Sequence, residues 1–181
     1  APVVTSMVVV SIVWTFLYHK DIGLINEFLS SVSFGLIDKI NWLGDPAWSM
    51  PAIVIMSAWQ GAGYQMLIFL AGLQNISEDL YEAASLDGAN SWQKFVNVTL
   101  PGLRNTTIFV IISTTIAAFG LFTQVDVMTS GGPADSTSTV MYHAVRKGFR
   151  EQDIGYGSTI SVVYFLVILA IAMGQKYYFD K

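Results

Sequence analysis

The chain has 181 residues, 53% of them hydrophobic and only 12% charged, with a formal charge of −4 at neutral pH. Its charged share is about half that usual in soluble domains, and the lack of a basic stripe excludes nucleic acid as a partner. The absence of cysteine excludes disulfides, thiol catalysis and cysteine-ligated metals.

The chain opens directly inside an apolar run, with no initiator Met and no signal-peptide pattern of basic, apolar and small-residue regions. A fragment lacking its N-terminal helices is therefore expected. Four stretches free of Asp, Glu, Lys and Arg are long enough to cross a bilayer, which takes roughly 17–25 residues. They predict spans at about 2–18, 49–73, 105–125 and 155–175 within a single transmembrane domain over 1–181. Buried helices of a soluble bundle would carry a polar stripe, whereas 67–73 and 108–118 are apolar or weakly polar nearly all round. The expected fold class is all-α, a polytopic α-helical membrane protein.

Between the first two spans, Gly23-Leu24-Ile25-Asn26 predicts a turn and a short amphipathic helix, with Trp42 and Trp48 as interface aromatics. The second span carries Trp59, Gln60, Tyr64 and Gln65, with Gly61 and Gly63 between them. Polar groups in hydrocarbon face a cavity or another helix. Two readings stand: a solute pathway, or helix–helix packing in which glycines and amide hydrogen bonds act as glue.

The stretch 77–101 is the one long charge-bearing amphipathic segment between strongly apolar ones. Ser77 can cap a helix whose first turns hold Glu78, Asp79 and Glu82, where the helix dipole favours negative charge. Leu80, Ala83, Ala84 and Leu86 recur at helical spacing, and Gly88 sits where that helix ends. Asn90 opens a second short helix with Gln93 placed for a capping box. Phe95, Val96 and Leu100 are its apolar residues, and Pro101 stops it or begins the next element. The product is a helix–turn–helix shaped for docking on another protein.

Beyond the third span, Gly131-Gly132-Pro133 signals a turn and 142–149 a surface helix. His19 and His143, the two histidines, lie outside the spans with no second ligand at metal-binding spacing. Neither a nucleophile elbow, a metalloprotease helix motif nor a phosphate-cradling loop is present. No metal site is expected, and no catalytic residue.

The spaced set Glu82-Ala83-Ala84, Asp87-Gly88-Ala89, Phe95 and Leu100-Pro101 resembles the EAA loop of permease subunits in binding-protein-dependent ABC importers. Ala71-Gly72-Leu73 before it, and Gly131-Gly132-Pro133 with Thr137 after it, extend the likeness to the carbohydrate branch typified by the maltose transporter permeases. The resemblance runs from about Pro2 to Lys176. It implies the type I importer permease fold, as a multi-pass protein of the plasma (inner) membrane of a prokaryote. It further implies that the 77–101 loop is cytoplasmic and that Glu82, Ala83, Ala84, Asp87, Gly88, Phe95 and Pro101 couple to an ATP-binding subunit. ATP and magnesium are used by that partner; the chain is not itself an enzyme and binds no cofactor. The other implied partners are a second permease subunit, as hetero- or homodimer, and an extracytoplasmic solute-binding protein. The solute is a sugar, an oligosaccharide or a related polyol derivative.

In the maltose-type permease a W-x-G-x-x-Y pattern lines the sugar site, and Trp59, Gly61 and Tyr64 match it. The candidate pathway is therefore Trp59, Gln60, Gly61, Tyr64 and Thr114. On the third span that relative uses polar and aromatic residues where this chain has Thr114, Ala117, Ala118 and Leu121. Charge does not set the orientation: Lys94, Arg104, Lys176 and Lys181 lie on the loop side, against Lys20, Lys39, Arg146, Lys147 and Arg150 opposite. Two alternatives are a secondary, ion-coupled transporter and an intramembrane enzyme. The first calls for carboxylates in the spans and the second for mid-span histidines or carboxylates, and the spans contain neither.

Overall fold

The computed structural model describes residues 2–36 and 38–179, and these form helices, turns and loops with no strand among them. Lys181 lies outside the described residues. A 3-10 turn at Pro2–Val4 precedes α1 (Met7–Leu17), α2 (Leu24–Val32), α3 (Pro46–Gln74) and α4 (Glu78–Leu86). Then come α5 (Ser91–Lys94), a π-helical turn (Phe95–Thr99), α6 (Leu100–Gly102), α7 (Arg104–Phe119) and α8 (Thr123–Met128). The chain ends with α9 (Val140–Val145), a second π turn (Arg146–Arg150) and α10 (Ile154–Phe179).

Helices α3 and α10 have 29 and 26 residues. At about 1.5 Å per residue each is roughly 40 Å long, more than the roughly 30 Å of a hydrocarbon core. Asp45 starts α3 by accepting a hydrogen bond at Oδ1 from Ala47 N (2.8 Å), with Pro46 in the first turn where its missing N–H costs nothing.

The first and third expected spans are shorter as helices than as charge-free runs. Over 2–18, the backbone breaks at Ser6 between the 3-10 turn and α1, leaving an apolar helix of 11 residues, about 16 Å long. Over 105–125, α7 stops at Phe119 with Gly120 as its cap, and the chain turns at Phe122 so that α8 packs back against α1. Among the described residues, α3 and α10 alone reach spanning length, and a third span results if Ser91–Gly102 and Arg104–Phe119, bent by 60°, count as one. A charge-free run measures apolarity, not helix continuity.

Of the two expectations for Pro101 the structure gives the second: it lies in the first turn of the next element, α6, rather than stopping the second short helix. The π turn bonds Leu100 N to Phe95 O, five residues back, and the helix runs on to Gly102. A wider turn just before a proline accommodates the ring and the missing donor. The break falls instead at Leu103, whose ψ is 0°.

The core lies at the end of the bundle where α3 begins. Ala52, Ile53 and Met56 of α3 pack with Val10 of α1, Val125 and Met128 of α8, and Tyr18, Trp42 and Tyr142. Trp42, expected at the interface, is buried: its Nε1 donates to Asn26 Oδ1 at 3.0 Å. Asn26, 2% exposed, also donates to Lys20 O (2.9 Å) and Ile40 O (2.8 Å) and accepts from Ile40 N (3.3 Å). One amide thereby closes the loop between α1 and α3. Tyr18 OH donates to Ala52 O at 3.0 Å, joining α1's end to α3.

The 129–151 region is a second knot at the same end. The Gly132–Pro133 peptide is cis, and buried Thr137 donates to Gly132 O at 2.8 Å and pairs with Thr129 Oγ1 at 2.7 Å. Tyr142 OH donates to Ser130 O (2.7 Å), while Arg150 pairs with Asp126 and stands over the Tyr142 ring. A hydrogen bond from Lys147, helped by the charges of Lys147 and Arg146, holds the Glu151 carboxyl below its ordinary value. Helix α10 crosses this region where a Cβ on Gly157 would sit 2.8 Å from Gly148 Cα.

Candidate functional site

The α4–α6 hairpin stands at the opposite end of α3, three residues past its terminus at Gln74. Its start and its turn are closed by local hydrogen bonds. Ser77 Oγ accepts from Asp79 N (3.3 Å), a cap on a helix whose first turn is acidic. The other end of α4 closes as a Schellman motif: Ala89 N donates to Ala84 O (2.9 Å) and Gly88 N to Ser85 O (3.0 Å), with Gly88 at φ +78°. Asn90 and Gln93 then form the reciprocal capping box, at 2.9 Å and 2.8 Å. The turn Asp87–Ala89 therefore has its backbone set by neighbours in sequence.

Two cross-links fix the angle between the hairpin's arms. Tyr81 OH lies 2.9 Å from Thr99 Oγ1, and Lys94 Nζ donates to Ser85 Oγ at 2.7 Å. None of these four residues is among the expected coupling residues. Their signal in the sequence is weak, because a tyrosine or serine on a polar helix face is commonplace.

Glu82, Ala83, Asp87, Gly88, Phe95 and Pro101 are exposed, and Ala84 is half-buried. Glu82 borders a groove of about 610 Å³ between the end of α3 and α4, lined also by Leu73, Ile76 and Tyr81. A smaller groove of about 290 Å³ runs past Ala84, Gly88 and Gln93. Beside the turn, Leu86 is 90% exposed and Trp92 71% exposed, the latter tilted against Phe95 with ring centroids 5.6 Å apart. A rigid turn bearing unshielded apolar side chains and a carboxylate can seat in a complementary cleft.

The residues of the candidate pathway do not share one face. Gln60 is buried and turned toward the chain's start, donating to Thr5 O at 3.2 Å, while its Oε1 is buried without a hydrogen-bond partner among the described residues. Trp59 is half-exposed with its ring 5.4 Å from that of Trp14, and Tyr64 is exposed. Thr114 is exposed on α7 and accepts from Gln65 Nε2 at 2.9 Å, across to α3. At Gly61 a Cβ would meet nothing within 4 Å. Gln65 therefore serves as a helix–helix link, while Trp59 and Tyr64 keep surface free for another molecule.

The chain belongs to the family of binding-protein-dependent transport system inner membrane components, which it matches over residues 2–181. It is 37% identical over 180 residues to a lactose transport system permease protein of Rhizobium radiobacter, covering 97% of this chain and 59% of that protein. It is also 37% identical over 160 residues to a trehalose/maltose transport system permease protein of Thermococcus litoralis, covering 88% and 53%. Among solved structures, a bacterial ABC transporter described as importing the acidic polysaccharide alginate matches with a TM-score of 0.85 at 22% identity, over 99% of this chain and 62% of that one. That likeness shows the fold. The chain spans 49–61% of the length of the curated relatives it matches.

Proposed function

We propose that the chain is a membrane-embedded part of a permease subunit in an ATP-driven importer for a sugar, an oligosaccharide or a related polyol derivative. The observation that carries this reading is the α4–α6 hairpin, whose Gly88 turn presents Leu86, Trp92 and Glu82 to solvent. An ATP-binding subunit receives the hairpin in a surface cleft and itself uses ATP and magnesium. Closure of two such subunits drives the permease halves between inward- and outward-facing states. Named relatives that handle lactose and trehalose or maltose support the solute class. A second permease subunit and an extracytoplasmic solute-binding protein complete the assembly, in the inner membrane of a prokaryote, with the hairpin in the cytoplasm.

Co-purification of the full-length protein in mild detergent tests this reading. An ATP-binding subunit should accompany the wild type and be lost from Glu82→Lys and Gly88→Pro while both variants still insert. Proline cannot take the φ of +78° found at Gly88. Solute movement by the full-length protein without any ATPase would overturn the proposal.

A further inference from the structure

The segment around α2 carries a surface that neither the core nor the hairpin explains. With about 3.6 residues per turn, its residues fall into three sectors. Ile25, Leu29 and Asn26 face the protein, where the first two pack on the core and the third is the buried amide. Glu27 and Ser31 are exposed on the polar side, with Glu27 paired to Lys39 at 2.7 Å. Leu24, Phe28 and Val32 make the third sector, an exposed apolar stripe between them. Ile22 before the helix and Phe34 and Leu36 after it are also exposed, Phe34 to 94%.

We propose that this segment is a membrane-interface element, with Leu24, Phe28, Val32 and Phe34 inserted into the lipid leaflet on the face opposite the hairpin. An interfacial helix needs an apolar side toward acyl chains and a polar side toward water, and α2 has both in addition to its protein-facing side. The neighbouring helix carries a similar surface: Val9, Ile12, Val13 and Phe16 form an exposed apolar stripe along α1. Asn26 holds α2 beside that helix's end through its bond to Lys20 O. Phe34 sits at φ +53°, a conformation unfavourable for a bulky L residue; an acyl environment stabilises the side chain placed there. The segment's charges, Lys20, Asp21, Glu27, Asp38 and Lys39, form no basic or acidic face, so attachment is apolar and insensitive to salt. The proposal requires only that the chain cross a bilayer and is independent of the importer reading.

Site-directed spin labelling tests it. The full-length protein, with Phe28→Cys, Phe34→Cys or Glu27→Cys as its single labelled position, is reconstituted into phosphatidylethanolamine–phosphatidylglycerol vesicles. The oxygen-to-nickel-chelate accessibility ratio should be several-fold higher at 28 and 34 than at 27, and unchanged by added salt. Equal access of the water-soluble nickel reagent at 27, 28 and 34 overturns the proposal. Shielding of 28 and 34 from both reagents also overturns it, because that pattern marks a protein cover such as a second subunit. The exposed Phe34 site keeps the test valid should a label at 28 disturb α2.

Discussion

Replacing Gly88 by alanine isolates one property of the hairpin. A Cβ at this position meets nothing within 4 Å, so the substitution introduces no clash. It does force an L residue to hold φ at +78°, which costs about 1–2 kcal/mol. That equals a factor of about 5–30 in the population of the native turn, and docking affinity falls with the docking-competent fraction. The upper limit is reached only if the alternative turn is fully incompetent. Asparagine, which tolerates the left-handed region far better, should recover most of the loss. The assay is titration of the detergent-solubilised full-length permease with its ATP-binding subunit, alongside solute uptake per ATP hydrolysed in vesicles. Gly88→Ala should weaken association within that range and lower uptake, with Gly88→Asn near wild type. Equal affinity for wild type and Gly88→Ala, or equal damage by Asn and Ala, would refute the role of the left-handed turn.

Two further substitutions probe the opposite end of the bundle. Asn26→Leu keeps the volume but leaves the buried N–H of Trp42 and the backbone of Ile40 without their partner. A loss of about 2–3 kcal/mol is expected, read as a lower unfolding temperature in detergent and faster proteolysis within 20–40; unchanged stability would contradict the network. Gly157→Val places a Cβ 2.8 Å from Gly148 backbone atoms and 3.0 Å from Ala144 O. It should destabilise by about 1–3 kcal/mol, whereas Gly174→Ala, with open space at its Cβ, should be silent in the same melt.

The sequence was most legible where structure is dictated locally. Ser77, Gly88, Asn90 and Gln93 lie within a few residues of the groups they satisfy, and each takes the capping or turn geometry expected of it. Span ends were less legible, because the break at Ser6 and the turn after Gly120 lie within charge-free runs, which absence of charge alone does not divide. Trp42 was misread as an interface aromatic: its burial depends on Asn26, 16 residues away, which no local pattern couples to it. For Pro101 the sequence leaves a helix stop and the start of the next element open; it lies in the first turn of α6, and the π turn before it has no signature in the sequence. The exposed set Leu86 and Trp92 was hidden for a simpler reason. An apolar residue on a short helix looks like core until its neighbours are placed.

The hairpin is connected so that a displacement at its turn reaches the spans. Its first arm follows α3 after Asn75–Ser77, and its second arm enters α7 through Leu103. Helices α3 and α7 are joined by Gln65 and Thr114 at 2.9 Å, and α7 and α10 by Gln175 to Thr115 at 3.1 Å and Tyr164 to Phe119 O at 2.9 Å. A force applied at Gly88 therefore acts on three linked helices, not on a free loop. The second arm has a π turn and a 60° bend at Leu103 between the capping box and α7, and the first arm leaves the helix over Asn75–Ser77 between α3 and α4. If the hairpin transmits the stroke of an ATPase, α3 and α7 both receive it, each across one short non-helical joint. α3 is also the helix that holds Trp59 and Tyr64 half-exposed at mid-span and Ile53 and Met56 in the core at its far end. A rigid rotation of α3 would move the candidate solute surface and the far-end core together.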